Sequence, residues 1–127
     1  MIRVAIADDH PELRLALRLL LKMKGDVEVV GEAGNGEEAV NLVKNFQPDV
    51  LVMDIQMPVL NGFEATKQIA DLAVPTHVIL ISTYGGAIMA EDAAAVGARG
   101  FVSKDHITDW LHTAIEIVHR GEAFFMK

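Results

Sequence analysis

The sequence predicts a single α/β domain, a doubly wound three-layer sandwich with helices on both faces of a parallel sheet. Three observations carry that prediction. Apolar runs at 2–7, 27–33, 49–53, 77–82 and 100–102 alternate with helical stretches near 11–24, 36–46, 61–71, 87–96 and 107–120. The runs are apolar nearly throughout, as strands buried on both faces are. A chain of 127 residues with 51% hydrophobic content fills one real core, and too little chain remains for a second. No repeat, low-complexity tract or linker divides residues 1–127.

The elements follow in order. The first run, "IRVAIA", passes straight into Asp8 and Asp9. Strand neighbours point to opposite faces, and a buried, unpaired carboxylate is costly. Both acids are therefore expected to leave the sheet together. Asp9 or His10 caps the first helix, with Pro11 at the favoured first helical position. Leu13, Ala16, Leu17, Leu20 and Leu21 form its inward stripe, while Leu15 and Leu19 fall on the other side. That second pair is either incidental exposure or a partner surface. Gly25 and Gly97 stand where helices end, and Asn35 caps the second helix. The fourth helix, "AIMAEDAAAVGA", is built from small residues after Gly85 and Gly86, so it and its loop are expected to be mobile. In the last helix Ile107, Trp110, Leu111, Ala114, Ile115 and Val118 make a core stripe. His112, Glu116 and His119 lie off it, as solvated surface rather than metal ligands.

The balance of charge is acidic, 18 Asp plus Glu against 11 Lys plus Arg for a net −7. This argues against a grip on a nucleic-acid backbone by this chain itself. It suits a bound cation, a basic partner or plain solubility. Without cysteine there is no disulfide framework and no cysteine zinc site. No apolar run has the length of a membrane span, and the start lacks a signal-peptide layout, so a soluble cytoplasmic domain is expected.

Ligands of an open parallel sheet bind beyond the carboxyl ends of its strands. Those ends carry Asp8 and Asp9, Asp54, Ser82 and Lys104. Alone, each has an ordinary explanation as a cap, a turn residue or an exposed lysine. Together they match one chemical demand. Three clustered carboxylates raise one another's pKa values unless a cation neutralises them. Carboxylates in this number suit Mg²⁺, which keeps several waters and shares phosphate oxygens. A hydroxyl and a lysine opposite would hold the remaining oxygens of a phosphoryl group.

The stretches "IADDH", "LVMDIQMPVLNGFEA", "VILIST" and "GARGFVSK" closely resemble the receiver domain of two-component response regulators, in order and over nearly the whole chain. The "DDH" start, "EVVGEAGNGEEAV" and "VSKDH" look most like the NarL/FixJ/LuxR-like class. The resemblance implies a flavodoxin-like (βα)5 fold with strand order 2-1-3-4-5. It implies that Asp54 is the phosphoacceptor, taking its phosphoryl group from a partner histidine kinase, with no other catalysis than its own phosphorylation and dephosphorylation. It assigns Mg²⁺ to Asp9, Asp54 and the backbone carbonyl of Gln56, with Asp8 acting through water. Ser82 and Lys104 would hold phosphoryl oxygens, Ser82 and Phe101 would switch together, and Gln56 and Tyr84 would tune the phosphoryl lifetime. In that class a C-terminal helix-turn-helix domain binds DNA and regulates transcription. The tail "VHRGEAFFMK" resembles the stretch before its linker, so a domain excised from a longer regulator is expected. Homodimers would form through the first and last helices, or through the fourth helix, fifth strand and last helix.

Departures from the family pattern are Ser82 for the common Thr, Phe101 for Tyr and Asp105 for Pro. A cis bond before Asp105 would be a strained non-proline case. Competing functions are a stand-alone receiver working through protein contacts, and a degenerate one that binds without phosphorylation. Two more distant ones are a Mg²⁺-dependent aspartyl-phosphate phosphohydrolase and a flavin-binding domain of similar topology. The adjacent Asp8-Asp9 disfavours the hydrolase, whose nucleophile motif is Asp-x-Asp. The acidic "ADDHPE" loop disfavours flavin phosphate.

Overall fold

The polypeptide alternates as the sequence predicts, and the computed structural model describes residues 1–83 and 86–126. Tyr84 and Gly85, both part of the sequence expectations, lie outside the described residues. In chain order the elements are β1 (Ile2–Ala7), α1 (Pro11–Lys22), β2 (Val27–Ala33), α2 (Gly36–Phe46), β3 (Val50–Asp54), α3 (Gly62–Asp71), β4 (His77–Ser82), α4 (Ala87–Ala95), β5 (Gly100–Ser103), α5 (Ile107–His119) and β6 (Phe124–Phe125). A short 3-10 turn, Lys104–His106, joins β5 to α5.

All strand pairs are parallel, in the order β2-β1-β3-β4-β5-β6. The expected 2-1-3-4-5 order is present, and β6 is an addition beyond it. A two-residue strand offers no alternation to read, which is why the sequence did not reveal it.

Alternate strand residues feed two cores. Ala5, Ala7, Leu51, Met53, Leu80 and Phe101 face α2, α3 and α4. Val4, Ile6, Val50, Val52, Ile79, Ile81 and Val102 face α1 and α5. The middle of the sheet is thus sealed on both sides, and only the strand ends and outer edges meet water.

Local chemistry explains the helix starts. Asn35 accepts from the Glu38 amide at 2.8 Å, as expected. Asn61 and Glu64 exchange side-chain and backbone bonds in a full capping box at the head of α3. α1 corrects the expectation: His10 occupies the cap position but makes no side-chain cap bond, and Pro11 alone marks the start. Gly25 and Gly97 take positive φ after their helices, as expected.

Two core assignments also change. Trp110 is 44% exposed and rests against the Phe124 ring, so the inward stripe of α5 is Ile107, Leu111, Ala114, Ile115 and Val118. Ala16 is exposed, while Leu17 and Leu21 are buried and Leu13 and Leu20 half-buried. Leu15 and Leu19 are exposed as expected. No peptide bond of the described residues is cis, so the bond before Asp105 is trans.

Candidate functional site

β1 and β3 lie side by side in the sheet, with Asp8 directly after β1 and Asp54 as the last residue of β3. Asp8 keeps the alternation of Val4 and Ile6, and Asp54 that of Val50 and Val52, so the two carboxylates turn toward the α1/α5 side. Lys104, two residues after Val102, reaches between them. Its Nζ stands 3.3 Å from Asp8 Oδ2 and 3.2 Å from Asp54 Oδ2.

Asp8 and Asp9 both lie beyond the last residue of β1, as expected, but their side chains part there. Asp8 is fully buried, whereas the Asp9 side chain is about one-third exposed. Burial is tolerable because a charge partner stands opposite. The Asp8 Oδ1 atom accepts from the His10 amide at 2.8 Å, and the His10 ring Nδ1 lies 3.1 Å from both Asp8 and Asp9. Arg14 of α1 donates to the Asp8 carbonyl and pairs with Glu32, tying the end of β1 to α1 and β2. Sequence reasoning passed over Arg14, since an arginine on an amphipathic helix gives no local sign of a carbonyl partner.

Asp54 is almost fully buried and receives the Gln56 amide at 3.3 Å. Its carboxyl is held above the usual carboxylate range by burial first and by the Asp8 charge second, with Lys104 and the Gln56 amide pulling the other way. Ser82 is buried at the end of β4, level with Ser103 of β5, and Phe101 is fully buried in the core beneath.

Donor atoms of Asp8, Asp9, His10 and Asp54 lie within 4.8 Å of one another. Asp8 Oδ2 is buried without a hydrogen bond of good geometry, although Lys104 stands near it. A buried carboxylate oxygen without a hydrogen bond, in a cluster of acids that outnumber the one lysine beside them, is what a hard oxygen-seeking cation would satisfy. The donor set therefore fits Mg²⁺.

Gly62 is a second residue the sequence reading missed. A Cβ there would stand 2.5 Å from the Asp54 carbonyl oxygen and 2.7 Å from the Ile55 Cα. Only glycine lets α3 press so closely on the strand end that carries Asp54. Its amide donates to Ile55 at 2.7 Å, and Thr66 Oγ1 donates to its carbonyl at 2.7 Å. The "NG" of "VLNGFEA" is the one local sign of this contact.

Of the two off-stripe histidines of α5, His119 is exposed as expected, whereas His112 is half-buried and engaged. His112 Nε2 meets Asp26 at 2.7 Å and Nδ1 meets Glu116 at 3.7 Å, which lowers the Asp26 pKa chiefly through the first bond. Through the closer contact, His112 ties α5 to the turn before β2.

Comparison with known proteins decides the family. The response regulator receiver domain matches residues 4–116. The chain belongs to the response regulator receiver family. This receiver domain is 38% identical over 124 residues, 98% of its length, to an uncharacterized transcriptional regulatory protein, YxjL, of Bacillus subtilis. It is 36% identical over 121 residues, 95% of its length, to the transcriptional regulatory protein LnrK of the same organism. It spans only 57% and 55% of those two relatives. Among solved structures, it superposes on the signal receiver domain of NarL from Mycobacterium tuberculosis with a TM-score of 0.90 at 34% identity, covering 95% of this receiver and 98% of that chain. A LuxR-family two-component response regulator from Aurantimonas sp. gives a TM-score of 0.91 at 32% identity, covering 96% and 87%. The receiver fold and the NarL/LuxR-like class expected from the sequence both stand. No helix among the described residues is long and apolar enough to cross a membrane.

Proposed function

We propose that this receiver domain is a switch set by phosphorylation of Asp54. The observation that carries the reading is the buried Asp54 carboxylate, 3.2 Å from Lys104 and grouped with Asp8 and Asp9 at one strand-end crevice. One Asp54 oxygen attacks the phosphorus of a phosphohistidine on a partner histidine kinase. The P–O bond forms as the P–N bond breaks, and the electron pair returns to the imidazole nitrogen. Bound by Asp9, Asp54 and the Gln56 carbonyl, with Asp8 acting through water, Mg²⁺ would supply positive charge beside the transferring group. Lys104 and the Ser82 hydroxyl would take the other phosphoryl oxygens, so the chain contributes positioning and charge more than covalent help. Phe101 would follow Ser82 in the switch, and Gln56 and Tyr84 would set how long the acyl phosphate survives. The chain's catalysis extends no further than its own phosphorylation and hydrolysis.

The match to about half of two transcriptional regulators supports a piece of a longer cytoplasmic regulator, with DNA bound by a C-terminal helix-turn-helix domain and not by residues 1–127. A second reading, a stand-alone receiver acting through protein contacts, is favoured by one feature. A groove of about 460 Å³ between α1 and the start of α5 is lined by Leu13, Leu17, Leu20 and Ile107, beside the exposed Leu19. A kinase or a second copy would dock there, or a second copy would dock across α4, β5 and α5.

The test is intact-mass analysis after incubation with Mg²⁺ and acetyl phosphate. One phosphoryl group should be added to the unaltered chain and none to Asp54→Ala. Equal labelling of both, or of neither, overturns the assignment.

A further inference from the structure

The described residues hold a further cluster of metal-ligating groups, away from the strand-end crevice. His112 of α5, Glu116 one turn along the same helix and Asp26 of the turn before β2 each offer a donor atom, all within 4.8 Å of one another. Ile2 donates to the Asp26 carbonyl at 2.8 Å, which places the cluster at the amino ends of the strands, the opposite rim from Asp54. Asp26 lies 86 residues before His112, so no sequence spacing announces the group.

The ring stands between two acids. Nε2 is 2.7 Å from Asp26 Oδ1, and Nδ1 is 3.7 Å from Glu116 Oε1. A neutral imidazole has one N–H, so it answers one carboxylate and turns a lone pair on the other. A divalent cation removes that conflict, because it takes the lone pair of one ring nitrogen and neutralises both acids.

The ligands are also held in advance. Leu111 and Ile115, the chain neighbours of His112 and Glu116, are fully buried and fix α5 on the core. Asp26 is tied to β1 through its backbone. Its carboxyl is held below the usual range, first by the His112 bond and in smaller part by Glu116, so it stays ionised as a ligand must be. The imidazole is half-buried while both carboxylates reach water, which gives an ion an entry path and a water for its remaining position.

We propose that Asp26, His112 and Glu116 form a metal site for a borderline divalent transition ion, Zn²⁺ in chemical class, that staples α5 to the amino ends of the strands. One imidazole, two carboxylates and a water complete a tetrahedral shell. The imidazole sets the preference: Mg²⁺ takes oxygen ligands, whereas Zn²⁺ takes both nitrogen and oxygen. The site is a restraint on the last helix that answers to metal, and it does not depend on Asp54 or its phosphoryl chemistry.

The test is Zn²⁺ titrated into the unaltered chain with Mg²⁺ in large excess, followed by NMR of the histidine rings. The ring signals of His112 should move, while those of His119 on the same helix stay in place. The affinity read from His112 should fall about tenfold or more in Asp26→Asn and in Glu116→Gln, and hold in Asp54→Asn. All three acids lie at the rims of the sheet, and circular dichroism checks that each variant keeps the parent's fold. No movement at His112, or movement that Asp54→Asn abolishes, overturns the proposal. An affinity left unchanged by either Asp26→Asn or Glu116→Gln overturns it too. Failure of Asp54 to take phosphate would leave all of these readings standing.

Discussion

At the scale of single residues, the site is a charge balance with one cation for two buried acids. Lys104 reaches both Asp8 and Asp54, and burial first, with the surplus negative charge of Asp8 second, displaces the Asp54 carboxyl upward. A carboxyl whose folded pKa is raised contributes stability that is complete below the unfolded pKa. That contribution is lost as pH rises through the folded value. Ionised Asp54 therefore works against folding at neutral pH when no divalent cation is present. Asp54→Asn should be the more stable protein at pH 7 in chelator, with the advantage shrinking as pH falls through the raised folded value and levelling off below the ordinary carboxylate value. Urea unfolding across that range checks it, and a pH-independent difference contradicts it. Lys104→Met should do the opposite and cost about 3 kcal/mol near neutrality, because it strands two buried acids.

At the scale of elements, contacts between backbones decide where the acids sit. α3 begins on Asn61 and Glu64, and its first residue, Gly62, lies against the Asp54 carbonyl. Gly62→Ala should cost about 1–3 kcal/mol and slow labelling by acetyl phosphate, because either α3 or the end of β3 must shift. Gly34→Ala is the control: its Cβ would meet nothing nearer than the Glu38 side chain at 3.5 Å. Unfolding curves and labelling rates of the two variants check the difference. α4 shows the reverse condition. It has no side-chain cap, starts after Gly86 at φ +103, and buries only Ala90 and Ala93. Its amides should exchange faster than those of α5, which buries five residues. Equal protection of the two helices would count against a loosely held α4.

At the scale of the whole molecule, the two cores stabilise the sheet and the acids at its rim oppose it. A cation that binds only the folded form shifts that balance. Mg²⁺ at about ten times its Kd adds about 1.4 kcal/mol, about 4–6 °C in Tm for a domain of this size. The gain should vanish with chelator and fall in Asp9→Asn, as differential scanning calorimetry would show. An equal gain in Asp9→Asn would place the cation elsewhere.

The alternation of strands and helices was legible in the sequence because β1, β3 and β4 fill both cores and so read as nearly continuous apolar runs. The polar strand ends were legible too, since Asp8, Asp54, Ser82 and Lys104 each break such a run at its carboxyl end. The tertiary structure decided the rest. It turned Asp8 inward, because Lys104 arrives from a strand three places away to pair with it, a partner no local pattern announces. It moved Trp110 out of the core onto Phe124, and it made a sixth strand of two phenylalanines that read only as a tail. Periodicity reports a residue's neighbours along its own element, whereas ion pairs and strand edges depend on elements that meet only when the chain has folded.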